Sequence, residues 1–237
     1  MHIERSDSKL RSPIILAVDT DDLEVAKKWV SATSASVGVY KLGLEFFLKF
    51  GRDGIAAVQG ETDSQIFLDL KLHDIPNTVG AAASQVASLK PKFLTVHASG
   101  GSAMVKAAVE NAPDTDITAV TILTSLNQSD LINIGFNGSP EDRAVELAKL
   151  AVVAGARAIV CSPLEISSVR SHLSNSISII TPGIRPRDKS SSDDQKRVMD
   201  PKSAIKAGAN YLVIGRPITG AVDVTKAAAE ILEEALS

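Results

Sequence analysis

Short β-branched apolar runs recur along the chain, separated by longer Ala-rich stretches whose apolar residues return at helical spacing. Eight runs read as strands: 14–19 (IILAVD), 37–43 (VGVYKLG), 66–72 (IFLDLKL), 93–98 (FLTVHA), 117–123 (ITAVTIL), 157–162 (RAIVCS), 177–183 (ISIITPG) and 211–216 (YLVIGR). Helix candidates lie between them, among them 23–33, 79–89, 140–154 and 163–172, and a last Ala-rich run ends at Leu236. Strands that are apolar on both faces and alternate with helices belong to a parallel sheet covered on both sides. Eight such units without a break in composition predict a single (β/α)8 TIM barrel over 13–237, preceded by a short polar tail over 1–12. A doubly wound sheet is the alternative, but no Gly-rich dinucleotide turn follows the first strand.

Composition narrows the partners. The chain has 237 residues, 44% of them hydrophobic, and a formal net charge of -3. Such a balance gives no general attraction to nucleic acid, although a local basic pocket can still hold a small anion. No apolar segment is long enough to span a bilayer, and the opening MHIERSDSKLRS lacks the apolar core of a signal peptide. One cysteine, Cys161, rules out an intramolecular disulfide framework and fits a reducing cytoplasm. Four dispersed histidines disfavour a histidine-built metal site, and no zinc spacing, P-loop or G-x-S-x-G elbow occurs. His97 reads as a hydrogen-bonding structural residue rather than a base.

In a barrel, function collects at the carboxyl ends of the strands. Those ends are polar here: Asp19, Lys41, Asp69 with Lys71, His97, Thr124 with Ser125, Arg185, and Gly215 with Arg216. The richest segment is FLDLKLHDIPNTV, 67–79. Side chains two apart on a strand share a face, so Asp69 and Lys71 face the barrel interior while Leu68, Leu70 and Leu72 face the helices. Isolated charges are costly there and are tolerated when paired or functional. Lys41, at the end of the adjacent strand, and Asp74, in the following loop, bring the group to two lysines and two aspartates at one mouth. After the last strand, Gly215-Arg216-Pro217 suits an anion: Gly lets backbone N–H groups approach, and Arg forks onto phosphate oxygens. The long, charged stretch over 185–201 reads as a flap that closes over a phosphate.

Asp69-Leu70-Lys71-Leu72-His73-Asp74 with Ile75-Pro76-Asn77-Thr78 resembles the Asp-x-Lys-x-x-Asp signature of the orotidine 5'-phosphate decarboxylase family. The similarity extends through LAVDTDD, VYKLGLEFF, TVHASGG, VTILTSL, TPGIRP and VIGRPIT, in order along almost the whole chain. It implies a cofactor-free, metal-free enzyme that decarboxylates orotidine 5'-phosphate to uridine 5'-phosphate. By the same resemblance Lys71 stabilises the carbanion and protonates it, Asp69 sits near the substrate carboxylate, and Lys41 and Asp74 complete an alternating network that aims Lys71. Asp19 and Lys41 match residues that bind the ribose hydroxyls. Thr124 and Ser125 match the pyrimidine-contacting pair, and Arg185, Gln195, Gly215 and Arg216 match ligand contacts towards the phosphate. Asp74, Ile75 and Thr78 match residues that reach the neighbouring subunit's site, which implies a homodimer. Two alternatives remain open on the residues alone: a Mg²⁺-dependent sugar-phosphate decarboxylase or aldol-type enzyme of the same superfamily, and a silent phosphate-binding barrel.

Overall fold

The computed structural model describes residues 12–186 and 198–237. The apolar runs form β1 (Ile14–Ala17), β2 (Val39–Gly43), β3 (Gln65–Leu72), β4 (Phe93–His97), β5 (Asp116–Val120), β6 (Ala158–Val160), β7 (Ser178–Thr181) and β8 (Tyr211–Ile214). Each strand pairs in parallel with its successor, and β8 closes on β1, so the sheet has no free edge. The expected barrel is therefore the fold, and the open doubly wound sheet is not. Several strands stop short of the expected span because their last residues turn outward to build the mouth. Thus 117–123 ends at Val120, and 211–216 ends at Ile214 because Arg216 already opens a helix.

The helices among the described residues are α1 (Leu23–Thr33), α2 (Leu44–Gln59), α3 (Pro76–Ala87), α4 (Ser102–Asn111), α5 (Gln128–Asn133), α6 (Pro140–Val153), α7 (Ile166–His172), α8 (Pro201–Ala207), α9 (Arg216–Thr219) and α10 (Val224–Leu236). Local chemistry sets their starts. The side chains of Asp22, Ser139, Asp200 and Asp223 accept backbone N–H groups at the first turns of α1, α6, α8 and α10. The expected helix over 163–172 divides, because the Ser162–Glu165 capping box closes a 3-10 turn before α7 begins. Inside α2 the chain kinks at Gly51, whose φ of 57° suits glycine.

Alternation along the strands sorts the apolar residues into two cores. Ile15, Val39, Phe67, Phe93, Ala158 and Ile180 fill the barrel itself. The intervening residues, such as Ile14, Leu16, Tyr40, Leu42, Leu68, Leu94 and Ile159, face the helical layer with Val30, Phe46, Ile55 and Ile231. The inner core is small and aromatic: the Phe93 ring meets Phe67 at 5.6 Å and Tyr211 at 5.3 Å, both edge to face. Of the polar tail expected over 1–12, only Ser12 is described; its hydroxyl donates to the Ser36 carbonyl at 2.6 Å.

Phe93 is fully buried and contacts the Phe67 and Tyr211 rings, so truncating it removes apolar contacts from the small inner core. Phe93→Ala is expected to cost about 3–5 kcal/mol of unfolding free energy, measured by urea denaturation. A cost under about 1 kcal/mol would mean that the inner core relaxes freely.

Candidate active site

β1, β2 and β3 bring their carboxyl ends side by side, with Ala17 opposite Lys41 and Gly43 opposite Asp69. That register turns scattered sequence charges into one chain of contacts. Lys41 Nζ lies 3.2 Å from Asp19 Oδ1 and 3.5 Å from Asp69 Oδ2. Lys71 Nζ donates to the same Asp69 Oδ2 at 2.8 Å. Charge thus alternates along Asp19, Lys41, Asp69 and Lys71. Asp69 is only 8% exposed. Burial alone pulls its carboxyl up, but the fields of Lys41 and Lys71, with hydrogen bonds from Lys71 and Thr95, outweigh burial and hold it below the usual carboxylate range.

These groups open into a cavity of about 310 Å³ at the barrel mouth. Its floor is apolar, with Phe67, Val160 and Val213 shared with the inner core. Its polar wall carries Asp19, Lys41, Asp69 and Lys71. Thr124, Arg185, Gly215 and Arg216 also line it. The room therefore has an apolar base suited to a flat ring, one balanced ionic wall, and a cationic end. Arg216 opens α9 directly after β8, and Arg185 follows β7. The backbone N–H of Arg185 donates to the Met199 carbonyl at 3.0 Å, and Met199 N–H donates to Gly183, so the two stems of the long 185–201 stretch are tied together.

The structure gathers eight of the expected site residues around this cavity: Asp19, Lys41, Asp69, Lys71, Thr124, Arg185, Gly215 and Arg216. It does not gather the rest. Asp74, Ile75 and Thr78 stand exposed at the start of α3, where Asp74 Oδ1 accepts the Ile75 N–H at 2.6 Å. Within one copy the alternating charges are Asp19, Lys41, Asp69 and Lys71. Ser125 is exposed beside Thr124 and lines no part of the cavity. Gln195, and the part of the expected flap over 187–197, lie outside the described residues.

Two features were not singled out from the sequence. Lys71 has a φ of 48°, so β3 is not extended at the residue where simple alternation was applied. Thr95 of β4, fully buried, donates to Asp69 Oδ1 at 3.0 Å. Its signal was present as the lone hydroxyl at an inward position of FLTVHA. His97, two residues on, stacks near His73 at 5.3 Å between ring centres. Burial pushes the His97 imidazole below its ordinary value, and neighbouring His73 and Lys71 add to that, against a smaller opposing pull from Asp69.

Comparison with known proteins came to one answer. The family model "Orotidine 5'-phosphate decarboxylase / HUMPS family" matches residues 12–231. A Thermobifida fusca protein named orotidine 5'-phosphate decarboxylase is 50% identical over 225 residues, covering 95% of this chain and 96% of its own. One of the same name from Gluconobacter oxydans is 43% identical, covering 96% of this chain and 98% of its own. The crystal structure of orotidine 5'-phosphate decarboxylase from Lactobacillus acidophilus superposes with a TM-score of 0.83 at 34% identity, covering 95% of this chain and all of that one.

The His97 environment has a consequence for stability. A folded barrel that resists protonating His97 is fully stabilised above the ordinary value of 6.5, and loses that contribution as the pH falls from there towards the lower folded value. His97→Gln removes this dependence. The Tm of the parent minus that of the variant is expected to shrink between about pH 8 and about pH 5. A constant gap would show that His97 titrates as it does in the unfolded chain, and a widening one that folding favours its protonated form.

Proposed function

The chain belongs to the orotidine 5'-phosphate decarboxylase / HUMPS family, and from that premise we propose that it converts orotidine 5'-phosphate to uridine 5'-phosphate and carbon dioxide, a step of pyrimidine biosynthesis. The observation that carries the proposal is the amine of Lys71, held 2.8 Å from Asp69 on the wall of a cavity that Arg185 and Arg216 also line. A pyrimidine nucleotide has matching parts: a flat ring for the apolar floor, and a phosphate for the cationic end.

Decarboxylation breaks the bond between C6 and its carboxyl group and leaves the electron pair on C6, where the ring offers no easy conjugation. A cation beside that carbon stabilises the developing charge, and an ammonium can then supply the proton. Lys71 fills both roles, passing a proton to C6 and recovering one from solvent. The Asp69 carboxylate faces the departing group. Two unit charges about 4 Å apart interact by roughly 4 kcal/mol at an effective dielectric near 20. Enzymes lower barriers by about 8–23 kcal/mol. Repulsion by Asp69 is therefore a minor share at most, and stabilisation by Lys71 together with the grip on the distant phosphate supplies the larger part.

In this assignment Asp19 and Lys41 hold the ribose hydroxyls, and Thr124 with Ser125 contacts the pyrimidine. Arg185, Gly215 and Arg216 bind the phosphate, assisted by Gln195. Asp74, Ile75 and Thr78 serve the site of a second copy, making the enzyme a homodimer. Their exposure supports this: Ile75, an apolar side chain, is 65% exposed next to Asp74. The setting is cytoplasmic, in keeping with one buried thiol, Cys161, that has no disulfide partner.

Spectrophotometric consumption of orotidine 5'-phosphate is the direct assay. Turnover is expected with and without EDTA, and Lys71→Ala is expected to lose at least about 10²–10⁴-fold in kcat while still binding uridine 5'-phosphate. Loss of activity in EDTA, or near-normal turnover by Lys71→Ala, would overturn the assignment. Shared sites have their own test: Lys71→Ala and Asp74→Asn chains assembled together should regain activity that neither has alone. Verified heterodimers without recovery would place Asp74 outside the partner's site.

A further inference from the structure

The β3–β4 ladder pairs Phe67 with Phe93 and Leu68 with Leu94, then resumes at Leu72 with Val96. Four steps along β3 therefore match two along β4. Within this slip lies Lys71, in the left-handed backbone region with φ 48°. That region is sparsely populated by side-chain-bearing residues and persists only where the surroundings over-determine it.

One hydroxyl supplies that constraint. The Lys71 backbone N–H donates to Thr95 Oγ1 at 2.8 Å, and Thr95 Oγ1 donates to Asp69 Oδ1 at 3.0 Å. The direction of both bonds is forced. An amide N–H only donates and an ionised carboxylate only accepts, so the single hydroxyl proton must go to Asp69. With Oδ1 fixed from beneath, Asp69 presents Oδ2 to the two ammonium groups of Lys71 and Lys41, at 2.8 and 3.5 Å. Thr95 itself is fully buried, so no water competes for either bond.

Other buried threonines of the barrel behave differently. Thr118, Thr121 and Thr181 donate to the backbone carbonyls of Asp116, Val160 and Cys161 respectively. Such bonds satisfy a hydroxyl within one strand, as at Thr118, or reach the neighbouring strand's main chain, as at Thr121 and Thr181. Thr95 instead ties the main chain of the proposed proton donor to the side chain of its charge partner.

We infer that Thr95 is a positioning residue for the reaction proposed above, its hydroxyl locking the Lys71 backbone and the Asp69 carboxylate into one geometry. The inference rests on that proposed reaction, since Thr95 lies beneath the charged wall and acts only through Lys71 and Asp69. A side chain of the same shape without the hydroxyl leaves a buried carboxylate oxygen and a buried N–H without their partner.

The test compares Thr95→Val, which keeps the shape and removes the hydroxyl, with Thr95→Ser, which keeps the hydroxyl and removes a methyl, in the full chain. Thr95→Val is expected to lose about 10–100-fold in kcat, with KM and the calorimetric affinity for uridine 5'-phosphate held within about twofold. Thr95→Ser should recover most of kcat. Hydrogen exchange at the Lys71 amide, followed by NMR, should be faster in the Val variant than in the Ser variant. Parent-like kcat in Thr95→Val overturns the inference, as does equal loss in Val and Ser, or a loss in kcat matched by weakened nucleotide binding. Should the Val variant fail to fold, Thr95→Ala replaces it, and a Ser variant no faster than Ala overturns the inference. A parent chain that does not consume orotidine 5'-phosphate defeats the functional proposal instead. The tie is then judged by Lys71 exchange alone, and an unchanged rate in Thr95→Val sinks it.

Discussion

A carboxylate with little access to water, placed between two ammonium groups, sets the terms for the rest of this barrel mouth. Asp69 alone would be costly at 8% exposure. Flanked by Lys41 and Lys71 and supported by Thr95, it stays ionised, with its pKa held below the usual carboxylate range. The same contacts hold the lysines. Lys41 bridges Asp69 to Asp19 on β1's carboxyl side, so the ionic wall runs across three adjacent strands. Asp19, Lys41, Asp69 and Lys71 cancel formally. Arg185 and Arg216 line the same cavity.

The barrel makes this arrangement affordable by dividing its apolar residues strictly. Inward positions below the mouth carry the compact aromatic core of Phe67, Phe93 and their neighbours, and outward positions fasten the strands to the helices. Side chains near the top of the inward set can then be polar without opening the core to water. The local exception is the β3–β4 slip. There the ladder gives up regular pairing, and a side-chain hydroxyl takes over part of the work of main-chain hydrogen bonds. Irregularities of this kind next to active sites re-aim a side chain, as bulges commonly do.

Much of this was legible in the residues. The eight strands were visible because their β-branched runs are short, apolar on both faces and bounded by polar turns. The pairing of Asp69 with Lys71 followed from their spacing, and the nearness of Lys41 from the order of parallel strands. The reason given for the pairing was incomplete, since it assumed extended backbone where Lys71 is left-handed. Nothing in the residue type announces that conformation, because it is imposed by the neighbouring strand. Spacing put Asp74 at the same barrel mouth and the resemblance assigned it to a neighbouring copy; in the single chain it stands exposed just before α3. Spacing along one chain cannot say which copy of a site a loop residue serves. Helix α2 escaped attention because Gly51 and Gly54 interrupt its propensity, while tertiary burial of Phe46, Ile55 and Val58 sustains it.

Stability alone does not account for the ionic wall. Replacing a buried ion pair by apolar side chains of similar volume is often neutral, or stabilising by about 1–4 kcal/mol. A barrel selected only to fold would lose nothing by carrying leucine or valine at these strand ends, as it does one layer lower at Val39 and Ile15. Here four charges lie in unbroken contact at the carboxyl ends of β1, β2 and β3, facing a cavity and held by a threonine that has no structural need to bond a carboxylate. The fold explains where such a wall can stand. Its charges and their order are not a requirement of the barrel, which is why the functional proposal rests on the site rather than on the fold.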